Sequence, residues 1–156
     1  MADLLECMIQ IKGLSETPGR LSRRIRELRA SRPDPAASGA AVHAVAALAV
    51  AESSVQQCLT LMLSTDRPVL AAPVIAEPET VSLALPIDVW LDRFTAARRE
   101  TVQLLARCTS QDLNRCALDP VRGPTSVADV VALLLAHDTD QVGRLVPPAS
   151  APPGAG

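Results

Sequence analysis

Between Ala40 and Ser64 the chain repeats Val45, Leu48, Glu52, Val55, Leu59 and Met62 in alternating steps of three and four. That spacing puts all of them on one face of a helix. A buried stripe of this length needs partners along the whole of it, and helices laid side by side in a bundle provide them. Glu52 interrupts the stripe with a carboxylate. It is expected either to pair with an arginine or reach solvent at a helix edge, or to face an internal cavity.

Three other stretches carry the helical period. Leu4, Leu5, Met8 and Ile9 form a short apolar face before a break at Gly13, and Thr17-Pro18 reads as a second helix start followed by Leu21, Ile25 and Leu28. One kinked helix and two separate ones both fit. Arg32-Pro33-Asp34-Pro35 is expected to stop the helix, because a residue before proline is pushed out of the α region, with a loop to about Gly39. Pro68, Pro73, Pro78 and Pro86 make Asp66 to Leu85 a long irregular crossover. Pro86 opens a third helix whose buried face is read as Ile87, Trp90, Leu91, Phe94, Ala97, Thr101, Leu104 and Leu105. Trp90 and Phe94, the chain's aromatics, are read as core anchors. Thr109 caps a short turn, and Asp119-Pro120 with Gly123-Pro124 makes a loop into the last helix. No stretch shows the period-2 alternation of a strand. The expected fold is all-α, a four-helix bundle over residues 1–146, with a disordered Pro/Ala/Gly-rich tail at 147–156.

The last helix starts at Ser126 with Asp129 three residues on, a capping box. Val127, Val130, Val131, Leu134, His137, Gln141 and Leu145 then recur at helical spacing, which turns His137 and Gln141 inward. Two polar side chains one turn apart on a core-facing stripe must be hydrogen-bonded, ligate something or line a cavity.

The formal net charge of −2 argues against a nucleic-acid footprint. The local run Arg20, Arg23, Arg24, Arg26, Arg29 and Arg32 reads as a solvated helix face. Cys7, Cys58, Cys108 and Cys116 have neither zinc-type nor redox CxxC spacing and read as separate buried fillers. No signal peptide and no membrane-length apolar run stands out, so no membrane is expected and a cytoplasmic setting follows by default.

Taken in order, Thr17-Pro18-x-x-Leu21, Arg32-Pro33-x-Pro35, Leu48-Ala49-x-x-Glu52, the Phe94–Leu105 helix, Gly123-x-Thr125 and His137-Asp138 resemble the DinB-like (YfiT-like) four-helix-bundle superfamily. The resemblance spans about Leu4 to Leu145. It implies a bundle with a crossover between the second and third principal helices, and dimers in many relatives. It also implies metal-dependent hydrolase or thiol-dependent transferase chemistry at a nickel or zinc held by three histidines. One lies on the second helix just before the Leu-Ala-x-x-Glu segment; two lie on the last helix as His-x-x-x-His. Residues four apart present both imidazoles on one face.

Here those positions fall on Ala47, His137 and Gln141. Alanine has no ligand atom and glutamine offers a weak neutral oxygen, so no tightly held metal and no cofactor is expected. His43 lies one turn before Ala47 but faces away from the seam. Asp138, Asp140, Glu52 and Cys58 have ligand chemistry without a spacing that makes a set. Asp138 follows His137 directly, so it points about 100° away and cannot orient that ring from the same face. No nucleophile elbow and no phosphate loop is present. The candidate pocket is therefore His137, Gln141, Ala47 and Glu52. Three functions are open: a non-catalytic bundle with a degenerate metal pocket that is filled or binds a small molecule; a hydrolase or transferase using His137 with non-standard ligands; and a homodimerisation or interaction module.

Overall fold

A computed structural model describes residues 3–31, 35–78 and 84–145. Four long helices form the bundle: α1 (Leu4–Ser31), α2 (Pro35–Ser64), α3 (Ile87–Leu105) and α5 (Val127–Gly143). Between α3 and α5 come a short helix α4 (Ser110–Leu113) and an antiparallel hairpin, β1 (Cys116–Asp119) with β2 (Gly123–Ser126). The tail at 147–156 lies outside the described residues.

Two apolar clusters give the helix directions. One gathers Cys7 and Leu14 of α1, Val55 to Met62 of α2, Leu105 of α3, and Val127 to Leu134 of α5. The other gathers Leu21 and Ile25, Ala41 to Ala49, Phe94, and Leu145. Hence α1 and α5 run one way, and α2 and α3 the other. Consecutive parallel helices cannot be joined by a tight turn, so the chain must travel back along the bundle. The proline-punctuated crossover does this. It is held near its start by a bridge between Val69 and Leu118 and by the buried Asp119 carboxylate, which accepts from Val74 N at 2.9 Å.

The capping boxes at Thr109/Asp112 and Ser126/Asp129 are both formed. Of the two readings open for the first stretch, α1 is one continuous helix, with Pro18 inside it. Elsewhere the structure departs from the sequence reading. Gly13 is no break; it sits where α1 approaches α5 closely enough that a Cβ there would meet Leu135 Cδ1 at 3.2 Å. α2 begins at Pro35, ahead of the expected Ala40. The loop into α5 is a hairpin, so two short strands join an otherwise helical fold; the chain returns through Gly123 at φ 78°, a conformation suited to glycine. Within α2, Gly39–Ser64 is long and apolar enough to cross a membrane by length and composition, a run the sequence reading passed over. More than half of its apolar window is buried against the other helices.

Candidate functional site

At mid-height the bundle contains charge. Glu52 on α2, Arg98 on α3, Asp138 on α5 and Thr17 on α1 are all at most 2% exposed, one from each long helix. Arg98 Nε donates to Glu52 Oε2 at 2.8 Å, and Nη2 lies 2.7 Å from the same oxygen. Its Nη1 and Nη2 donate to Asp138 Oδ2 and Oδ1 at 2.5 and 2.8 Å, a bidentate pair. Thr17 Oγ1 donates to Asp138 Oδ2 at 2.7 Å.

Pro18 explains the last arm of this network. Having no N–H, it cannot donate to the carbonyl four residues back, which is Leu14. That carbonyl instead accepts from Arg98 Nη1 at 3.1 Å. Thr17-Pro18 is thus a fixture inside the helix rather than a helix start. Arg98 also stacks over Phe94, with the guanidinium carbon 4.8 Å from the ring centre. Burial alone would lower the guanidinium's pKa; the hydrogen bonds and charges of Asp138 and Glu52 outweigh it and hold it above its ordinary value.

The four sequence-predicted pocket residues are placed as follows. Ala47 is buried in α2, and Glu52 is buried with Oε2 paired to Arg98 while Oε1 has no partner. Gln141 is buried on α5 with its Oε1 unpartnered. The His137 side chain is 9% exposed, and neither ring nitrogen makes a hydrogen bond. Its Nε2 stands 3.8 Å from Oε1 of the exposed crossover residue Glu77. Burial lowers the His137 pKa, against opposing pulls from Glu77, Asp138 and Asp140, which favours a neutral ring. Since Ser54 of α2 donates to Pro73 O at 3.4 Å and Glu77 approaches His137 of α5, the crossover lies over the α2–α5 seam.

Asp138 is the main correction. Read as pointing away from the site, it is more deeply buried than His137 and belongs to the central ion cluster. The stripe Val131, Leu134, Asp138, Gln141, Leu145 keeps the alternating three–four step better than one through His137. Arg98 was missed for the same reason. Phe94, Arg98, Thr101 and Leu105 are the buried residues of α3; reading the face through Ala97 put Arg98 outside it. The signal was a buried carboxylate at Glu52 that required a cation.

The other ligand-type residues do not gather here. Asp140 pairs with Arg144 at the surface, and His43 is exposed. All four cysteines are free, and burial raises the thiols of Cys7, Cys58 and Cys108, which keeps them protonated. Among the described residues no group of three His, Cys, Asp or Glu side chains is placed to hold a metal ion. Ala47 offers only a methyl, and Gln141, one turn from His137, only a neutral amide; neither is among the His, Cys and carboxylate donors that a catalytic zinc site uses. A groove of about 200 Å³ opens between α1 and α5, lined by Thr17, Arg20, Arg24, Asp138 and Thr139 among others; it does not include His137 or Gln141.

No family model matches the chain, and no curated protein matches it. Among solved structures it is similar to YfiT from Bacillus subtilis, described as "a probable metal-dependent hydrolase with an unusual four-helix bundle topology". The TM-score is 0.74 at 13% identity, over 93% of this chain and 86% of that one.

Proposed function

With the YfiT-type, DinB-like bundle as its fold, we propose that this chain is a non-catalytic member of that architecture, keeping the position of a metal site as a metal-free pocket for a small polar molecule. The carrying observation is a buried His137 ring with two unpartnered nitrogens, one turn from the unpartnered Oε1 of Gln141. Polar atoms shielded from water in this way are costly unless something bonds to them. Ala47 and Gln141 stand where the resemblance implies histidines, which supports a loss of metal rather than an altered metal. The alternative is a metal-dependent hydrolase or thiol transferase using His137 with other ligands, which fits the neighbour's description loosely. Metal analysis of protein purified without an affinity tag separates the two. The proposal expects nickel and zinc far below one equivalent; either metal at one per chain would refute it.

A second reading, a homodimerisation module, is favoured by one feature. Leu4, Leu5, Met8 and Ile9 leave an exposed apolar stripe on the first turns of α1. Sedimentation tests it: a dimer mass is expected, and a monomer mass at high concentration would contradict it.

A further inference from the structure

The arginines of α1 have no part in the His137 pocket. From Glu16 to Ser31 the helix carries Arg20, Arg23, Arg24, Arg26 and Arg29 against Glu16 and Glu27, in a chain whose formal net charge is −2. Positive charge is therefore concentrated here. Two of these residues, Arg20 and Arg24, stand one turn apart and line the groove of about 200 Å³ between α1 and α5, together with the apolar Leu135 and Val142. The other polar side chains of the groove are already engaged. Thr17 Oγ1 donates to Asp138 Oδ2 at 2.7 Å, both Asp138 oxygens are held by Arg98, and Thr139 Oγ1 donates to Leu135 O at 2.9 Å. The two guanidiniums are thus the side-chain donors left to a ligand.

Their present partners compete weakly. Arg20 Nη2 donates to Gly13 O at 3.1 Å and lies 4.0 Å from Glu16 Oε2, and Arg24 Nη1 donates to Glu27 Oε2 at 3.0 Å. Both ion pairs are half-exposed and lie within one helix, the kind that contributes little. Two nitrogens of each guanidinium have no partner among the described residues. A phosphate monoester carries up to two negative charges and three terminal oxygens, which two arginines match better than they match a single carboxylate. From the cavity, its charge and its apolar lining we propose that the groove binds a small organic phosphate, with Arg20 and Arg24 on the phosphoryl oxygens and Leu135 and Val142 against the organic part. A cation would meet two guanidiniums and a carboxylate already held by Arg98. The groove shares no residue with the His137 pocket, so this site stands or falls separately from the question of a metal.

Phenyl phosphate titrated into the full chain tests this, with benzyl alcohol as the uncharged control. The readout is the backbone amide resonances of Thr139 and Gly143, which line the groove. Phenyl phosphate is expected to shift both saturably, and benzyl alcohol neither. Arg20→Gln and Arg24→Gln should each weaken binding by about tenfold, the scale of a lost hydrogen bond to a charged group. Arg23→Gln removes the same charge from an exposed residue outside the groove, and should leave the affinity within about twofold. An equal loss in Arg23→Gln would mean diffuse attraction to α1 and overturn the groove. So would unchanged binding in both groove variants, no saturable response to phenyl phosphate, or an equal response to benzyl alcohol. If Arg20→Gln fails to fold, the comparison of Arg24→Gln with Arg23→Gln decides the matter by itself.

Discussion

Replacing Arg98 by methionine would leave Glu52 and Asp138 buried without their cation, and free the Leu14 carbonyl that Pro18 cannot serve. Breaking a buried pair from one side costs about 3–5 kcal/mol, so Arg98→Met is expected to lower unfolding stability by about that amount in a urea titration. A loss of less than about 1 kcal/mol would mean the cluster is not held as described. His137 makes a separate prediction. Burial holds its pKa below the ordinary 6.5, so the unfolded chain takes up a proton more readily than the folded one. The stability carried by the neutral ring is therefore complete above 6.5 and declines as pH falls below it toward the folded value. Between about pH 7.5 and about pH 5.5 the chain should lose more stability than a His137→Gln variant. Parallel losses in the two proteins would show that this ring is not the titrating group. Neither role could be read from residue type alone. Arg98 is followed by Arg99 and Asp138 is preceded by His137, and a one-position error in the phase of a helix exchanges a buried charge for an exposed one.

At the level of elements, the features that sequence makes legible are local ones. A hydroxyl with a carboxylate three residues on satisfies backbone N–H groups wherever it occurs, and both such boxes formed. The α2 stripe was legible because its alternation holds over many turns, and Val45, Leu48, Glu52, Val55, Leu59 and Met62 are all buried. What stayed hidden depended on distant partners. Pro18 reads locally as a helix start, and only the Arg98 guanidinium reaching Leu14 lets it sit mid-helix. The hairpin strands are four residues each and contain Pro124, too short to show alternation. They are fixed by Asp119, which accepts from Val74, Val121 and Arg122 N–H groups. Burial opposes ionisation there, and the three backbone donors outweigh it to hold the carboxyl below its ordinary value. Arg115 does comparable work at the end of α2, donating to Met62 O at 2.7 Å and Thr65 O at 3.1 Å. In α1, the exposed stripe gives the dimer reading a sharper form: Leu5→Asp with Ile9→Asp should convert a sedimenting dimer to a monomer. A mass unchanged by both charges would place any interface elsewhere.

For the whole molecule, the parallel α2 and α3 make the crossover obligatory, and the crossover lays Glu77 beside His137. Topology and site are therefore linked. The bundle is similar in fold to that of YfiT, and in this chain the apolar seams and the central ion cluster hold the packing together. The central proposal is that the position of a metal site, as the resemblance implies it, persists here without the donors to fill it. Calorimetric titration of nickel into the unaltered chain and a Gln141→His variant, side by side and free of affinity tags, tests it most directly. The account predicts no stoichiometric binding by the unaltered chain, and measurable binding once residues 137 and 141 both present imidazoles one turn apart. One tightly bound equivalent of nickel in the unaltered chain would contradict it.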